Sequence, residues 1–224
     1  MRSYLNKVTA IVWKDVRAEL RTKDILSSML VFAGLTVLIF QFAFDLRASV
    51  IQLVLPGVLW IAITFAGVLG LNRSFVLEQD RGSMEGLLMA PMDRSAIYFG
   101  KLIGNLLFIF TVELLLLPLM TVLYNTWLLS PAILLVVFLG TIGYAAVGTL
   151  FAALSINTRA REVMLPILLF PVMVPVFVAG VQATGRLLDG ETLADISRWV
   201  QLLVAYDGIF IAAAMILFDY VVEE

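Results

Sequence analysis

The stretch "LPGVLWIAITFAGVLGLNRSFVLEQDRGSMEGLLMAPMDRSAIYFGKLIGN", residues 55–105, decides the architecture of this chain. It opens on an apolar run, crosses a segment carrying Glu78, Asp80, Arg81, Glu85, Asp93 and Arg94, and turns apolar again after Lys101. Apolar runs of about 20 residues match a hydrocarbon layer ~30 Å thick at a helical rise of ~1.5 Å per residue. They must be helices, because lipid offers backbone N–H and C=O groups no partner except each other.

Working outward, the same pattern recurs to both ends, predicting spans near 26–44, 50–71, 102–124, 132–155, 163–183 and 200–222. The composition agrees: 62% of the 224 residues are hydrophobic, 14% are charged, and mean hydropathy is +1.02, far above a soluble domain. The predicted fold class is all-α, integral membrane, one transmembrane domain over residues 1–224.

Cysteine and histidine are both absent. Disulfides and thiolate or imidazole metal sites are thereby excluded, and the commonest axial ligand of haem iron is missing. The nine methionines are scattered, as gap-filling core residues are. A net charge of -2 and a pI near 5.2 give nucleic acid no electrostatic footing.

Lys and Arg concentrate in the N-terminal stretch, the 72–101 segment and the 156–162 segment, leaving Arg47, Arg186 and Arg198 for the opposite side. By the positive-inside bias, both termini and the 72–101 segment are expected in the cytoplasm. Residues 1–25 show no cleavage site and read as an amphipathic helix, with Leu5, Val8, Val12, Val16 and Leu20 on one face and Lys7, Lys14, Arg17 and Arg21 mostly turned away. Such a helix lies along the inner interface as a lipid anchor or a partner contact.

The 72–101 linker is long for a helix bundle and has internal order. Ser83 is placed to cap a short helix that Pro91 ends, giving an amphipathic knob or a solvated connector. Around it, Pro56 and Gly57 early in the second span, Trp60, the Leu71/Arg73/Phe75 cluster, the run of Gly82, Ser83, Glu85 and Leu87, and Pro91 before Lys101 resemble CcmB. That family comprises permease-like subunits of the cytochrome c maturation system. The stretch "GTIGYAAVGTLFAALSINTRAREVMLPILLFPVMVPVFVAG", residues 140–180, is similar to its fourth and fifth spans, with Pro166, Pro171 and Pro175 interrupting the fifth.

The resemblance implies a type-2 ABC transporter architecture in the bacterial inner membrane, dimeric, assembled with the ATPase CcmA and with CcmC and CcmD. ATP and Mg would be bound by the ATPase chain. Hydrolysis would free the haem-loaded chaperone CcmE from CcmC through the 72–101 coupling loop, with Glu78, Arg81, Gly82, Glu85 and Arg94 at the ATPase interface. Haem as cargo is left open. An ABC permease for a lipid, polysaccharide or drug, and an ATP-independent scaffold, are the alternatives.

The chain carries no ATP site of its own. "GKLIGN" places Ser95 and Leu102 where a P-loop needs Gly and Ser/Thr. Trp13, Trp60, Trp127 and Trp199 lie too far apart for a Trp-rich haem-handling motif like that of CcmC. With no cluster of acids in the spans, no catalytic residue and no bound cofactor or metal is expected.

Glu113 falls near mid-bilayer, where a carboxyl is either a conformational contact or a hydrogen-bond partner of a facing helix. Asp207 and Asp219 are expected to reach the membrane surface. Ala62, Ala66 and Gly70, with Gly148 and Ala152, read as helix-packing seams. The three prolines of the fifth span should kink or break it. In residues 183–201, Leu187, Leu188, Leu193, Ile196 and Trp199 suggest a short interfacial helix.

Overall fold

The computed structural model describes residues 2–43, 48–80, 93–155 and 161–221. These form seven helices: α1 (Arg2–Thr22), α2 (Asp24–Ala43), α3 (Ala48–Asp80), α4 (Arg94–Tyr124), α5 (Pro131–Ser155), α6 (Arg161–Leu188) and α7 (Ser197–Val221). Six of them, α2 to α7, are long and apolar enough to cross a membrane, in agreement with the spans read from hydropathy. The chain is an all-α multi-pass membrane protein with a separate N-terminal helix.

α5 is the hub, packing against α3, α4, α6 and α7, while α2 lies against α3 and α4 at the edge. Its glycines let bulky neighbours sink in. A Cβ on Gly140 of α5 or Gly180 of α6 would fall inside the Trp60 indole, so Trp60 of α3 is a knob held between two other helices. Gly67 likewise receives Tyr144, and Gly148 receives Leu71. Close packing of this sort is what holds helices together where lipid removes the hydrophobic driving force. The outward faces are apolar as well, with Ile39, Leu114, Val122 and Ile216 exposed toward the hydrocarbon.

Tyrosine hydroxyls fasten neighbouring helices. Tyr144 donates to the Thr64 carbonyl at 2.7 Å, Tyr98 to Ala146 at 3.1 Å, Tyr124 to Val37 at 3.1 Å and Tyr206 to Val172 at 3.0 Å. Of the kink or break expected at the prolines of the fifth span, the break does not occur: α6 runs on as one helix through Pro166, Pro171 and Pro175. The carbonyls that Pro171 and Pro175 leave without an N–H are those of Ile167 and Pro171, so the Tyr206 bond to the Val172 carbonyl ties α7 to α6 beside the prolines rather than replacing a lost ladder bond.

The ends of the helices are set locally. Ser130 caps α5 through the Ile133 N–H at 3.3 Å, with Pro131 at the first helical position, where a missing N–H costs nothing. Asn125 (φ 47°) closes α4 and Lys23 (φ 58°) closes α1, both in the left-handed region. The 183–201 stretch forms no helix of its own: α6 continues to Leu188 and α7 begins at Ser197. Between them, Gly190 (φ 92°) turns the chain, and the Thr192 N–H and hydroxyl donate to Asp195 at 2.8 and 2.7 Å. Those bonds hold the Asp195 carboxyl below its usual range. Ile196, expected at the interface, is buried beneath this turn.

Candidate functional site: the buried cluster beneath the α3–α4 connection

The polar segment read as a loop over 72–101 is shortened from both sides. α3 persists to Asp80 and α4 starts at Arg94. The reason is visible in the packing: Leu71, Ser74 and Phe75 keep a buried face at helical spacing on α3, as do Ala96, Ile97, Gly100 and Lys101 on α4. At ~1.5 Å per residue, the 33 residues of α3 and the 31 of α4 each reach ~45–50 Å, well beyond a ~30 Å hydrocarbon layer.

Of the five residues assigned to an ATPase contact, Glu78 falls in the last turn of α3 and Arg94 begins α4, half-buried. Arg81, Gly82 and Glu85 lie outside the described residues, as do Ser83, Pro91 and the short helix proposed between them.

Near the described end of α3 and the start of α4 sits a cluster that sequence reading left out. Lys101 is 1% exposed, and its ammonium donates to Asp15 of α1 at 3.0 Å and to the Ser74 carbonyl of α3 at 3.3 Å. It also lies 5.4 Å from the centre of the Phe75 ring, within cation–π range. One side chain therefore ties three helices together. A lysine needs such partners, because an unpaired ammonium at that burial is very costly.

The same end of the bundle has further polar ties. Tyr4 donates to Ser95 at 3.2 Å across α1 and α4, and Arg73 donates to Ser28 at 3.0 Å across α3 and α2. Gly100 gives Ile11 its close approach, since a Cβ there would overlap the isoleucine. Glu19, buried at 3% exposure, accepts from the N–H groups of Ile25 at 3.2 Å and Leu26 at 2.8 Å. A side chain of α1 thus caps α2, satisfying two of its orphan donors.

α1 consequently has two working faces. The one turned to the bundle carries Tyr4, Val8, Ile11, Asp15 and Glu19, spaced as one helical stripe. Of the predicted apolar face, Val8 is buried, whereas Leu5 and Leu20 are 57% and 64% exposed, joined by Trp13 at 64%. An acid on an amphipathic helix reads as solvated until its partner is known, so the stripe was invisible without α4 and α2.

Deeper in the bundle, Glu113 of α4 is buried and accepts a short hydrogen bond from the Thr141 hydroxyl of α5. About two turns away, Asn105 donates to Thr149 at 3.0 Å. The facing helix thus answers Glu113 and the Asn105 amide N–H, while Asn105 Oδ1 is buried without a hydrogen bond from the described residues. Asp207, expected to reach the surface, does not. It is the eleventh residue of α7, 7% exposed and packed against Gly143, with Oδ1 accepting no hydrogen bond from the described residues. No group of three or more His, Cys, Asp or Glu suited to a metal occurs among the described residues.

A family profile described as CcmB protein matches residues 6–220. Heme exporter protein B of Pseudomonas aeruginosa is 25% identical over 201 residues, spanning 89% of this chain and 90% of its own. The protein of that name from Rhodobacter capsulatus is 27% identical over 184 residues, spanning 81% and 84%, and that from Bradyrhizobium diazoefficiens is 22% identical over 187 residues, spanning 83% and 84%. With a match running from within α1 to the last turn of α7, this chain belongs to the CcmB family.

Proposed function

We propose that this chain is the permease-like membrane subunit of an ABC complex of cytochrome c maturation. In that reading it pairs as a dimer with the ATPase CcmA, alongside CcmC and CcmD. ATP and Mg stay on the ATPase chain, and movement at the 81–92 segment frees haem-loaded CcmE from CcmC. The observation that supports it is the Lys101 node: near the start of α4, one buried ammonium is bonded to α1 and to α3. A push on the connection would be delivered to three helices together rather than absorbed by one. The relatives' printed name, heme exporter protein B, supports the haem-related role.

Contacts from Glu78, Arg81, Gly82, Glu85 and Arg94 would set docking and register more than affinity, as charges at an interface rim do. No step of ATP chemistry falls to this chain. The orientation that goes with this reading puts α1 and the 81–92 segment in the cytoplasm and the 189–196 turn outside, in the bacterial inner membrane.

The test is co-purification with CcmA in mild detergent, comparing wild type with a chain carrying Arg81→Glu and Glu85→Lys. Retention by wild type and loss by the variant, with the variant still folded and inserted, is the expected result. Wild type that recovers no ATPase would favour an ATP-independent scaffold. Retention by both would sink the assignment of those two charges.

A further inference from the structure

The C-terminal half of α1 lies at the level where the membrane begins. Asp15 packs over Gly104 of α4, its Oδ2 3.5 Å from where a Cβ on that glycine would stand, and Glu19 caps the first turn of α2. From Gly104 to Tyr124 at its far end, α4 rises ~30 Å at ~1.5 Å per residue, the thickness of a hydrocarbon layer. What α1 turns outward at this level is Trp13 and Leu20, each 64% exposed, with exposed Arg17 and Arg21 beside them. Steps of three and four residues put these four side chains on adjoining strips of one helix surface.

We infer that this face of α1 is a seat for an anionic phospholipid, with Trp13 and Leu20 at the edge of the hydrocarbon and the headgroup phosphate between Arg17 and Arg21. Charge sorting is the first argument. In sequence α1 mixes both signs, but its only acids are Asp15 and Glu19, and the bundle takes both: Asp15 accepts from Lys101, and Glu19 from the N–H groups of Ile25 and Leu26. Folding therefore leaves the outward surface of this half with cations and no carboxylate, and Lys14 beside it is shared with Asp15 at 3.4 Å. Two guanidiniums four residues apart are neighbours on the helix, and each offers a planar fork that fits phosphate.

Level is the second argument. An exposed indole and an exposed leucine at a membrane boundary are covered by lipid itself, and tryptophan favours that boundary because its ring is apolar while its N–H stays wet. An acidic protein surface would answer Arg17 and Arg21, but it would also have to displace lipid from Trp13 and Leu20. A cation at the membrane surface favours anionic over neutral lipid roughly five-fold, so a pair gives a clear preference. α1 is then gripped on opposite sides, by the buried Lys101 through Asp15 and by the headgroup layer through its arginines.

The experiment uses the full-length chain in phosphatidylcholine nanodiscs that carry, as a minor fraction, either acyl-brominated phosphatidylglycerol or acyl-brominated phosphatidylcholine. Bromine quenches a nearby indole, and the Trp13 share of the emission is wild type minus Trp13→Phe. That share should be quenched by both lipids, several-fold more by phosphatidylglycerol. In a chain carrying Arg17→Gln and Arg21→Gln the two lipids should quench equally; both arginines are exposed, so the fold is kept. The proposal is overturned if the Trp13 share is unquenched, or if wild type shows no preference for phosphatidylglycerol. It is equally overturned if the double variant keeps that preference while losing the co-purified ATPase, which would make this face a protein contact.

Discussion

Replacing Asp15 by Leu should cost far more than replacing Lys101 by Met, although both remove the same ion pair. Lys101 is 1% exposed and Asp15 10%, so the two survivors are not equally stranded. Without Asp15, the ammonium loses its carboxylate and is left with neutral partners such as the Ser74 carbonyl and the Phe75 ring. Removing one partner of a buried pair costs ~3–5 kcal/mol. Without Lys101, Asp15 still has the Lys14 ammonium at 3.4 Å and a route to water, for a loss of ~1–2 kcal/mol. The double variant removes both charges and should fall near wild type, because well-packed apolar replacements of buried pairs are often neutral. At roughly 2–4 °C per kcal/mol for a chain of this size, Asp15→Leu should lower the melting temperature by roughly 6–20 °C. Scanning calorimetry of the four proteins in nanodiscs measures the cycle. Additive effects, or a larger loss from Lys101→Met, would refute the claim that this pair is buried and mutually dependent.

Other outcomes follow from single contacts. Gly140→Ala should destabilise by ~1–3 kcal/mol because its methyl meets the Trp60 indole, and Trp60→Leu in the same chain should return part of that loss in a melting series. Glu113→Gln keeps an acceptor for the Thr141 hydroxyl and should melt within about 1 kcal/mol of wild type, whereas Glu113→Lys buries an unanswered cation and should cut membrane yield. The chain has no cysteine, so single substitutions report sidedness cleanly. Leu193→Cys should react with an impermeant maleimide from outside intact cells, and Arg17→Cys only after lysis; the reverse pattern would invert the proposed orientation. Thr192→Ala should raise the Asp195 titration midpoint toward the ordinary ~3.9. Because the folded carboxyl is held low, its contribution to stability is present above the unfolded value and disappears as pH falls through the folded one, which NMR titration of the carboxyl carbon would follow.

Hydropathy alone determined the number of spans, because a ~30 Å apolar layer and an obligatory helical backbone leave few other readings of such runs. Composition also excluded thiolate and imidazole chemistry, and the 55–105 and 140–180 stretches carried the family resemblance. Partner-dependent properties were out of reach. Lys101 looked like a flank of the charged linker, and only the approach of α1 at Gly100 made it the buried centre of three helices. Glu19 drew no reading from sequence, because its role depends on the N–H groups that α2 presents, and Asp207 looked interfacial until Gly143 covered it. The three prolines read as a kink or a break, and α6 is one continuous helix packed against α3, α5 and α7. A sequence states what each side chain can bond to, but burial and pairing come from helices distant in the chain, so their choice belongs to the tertiary structure.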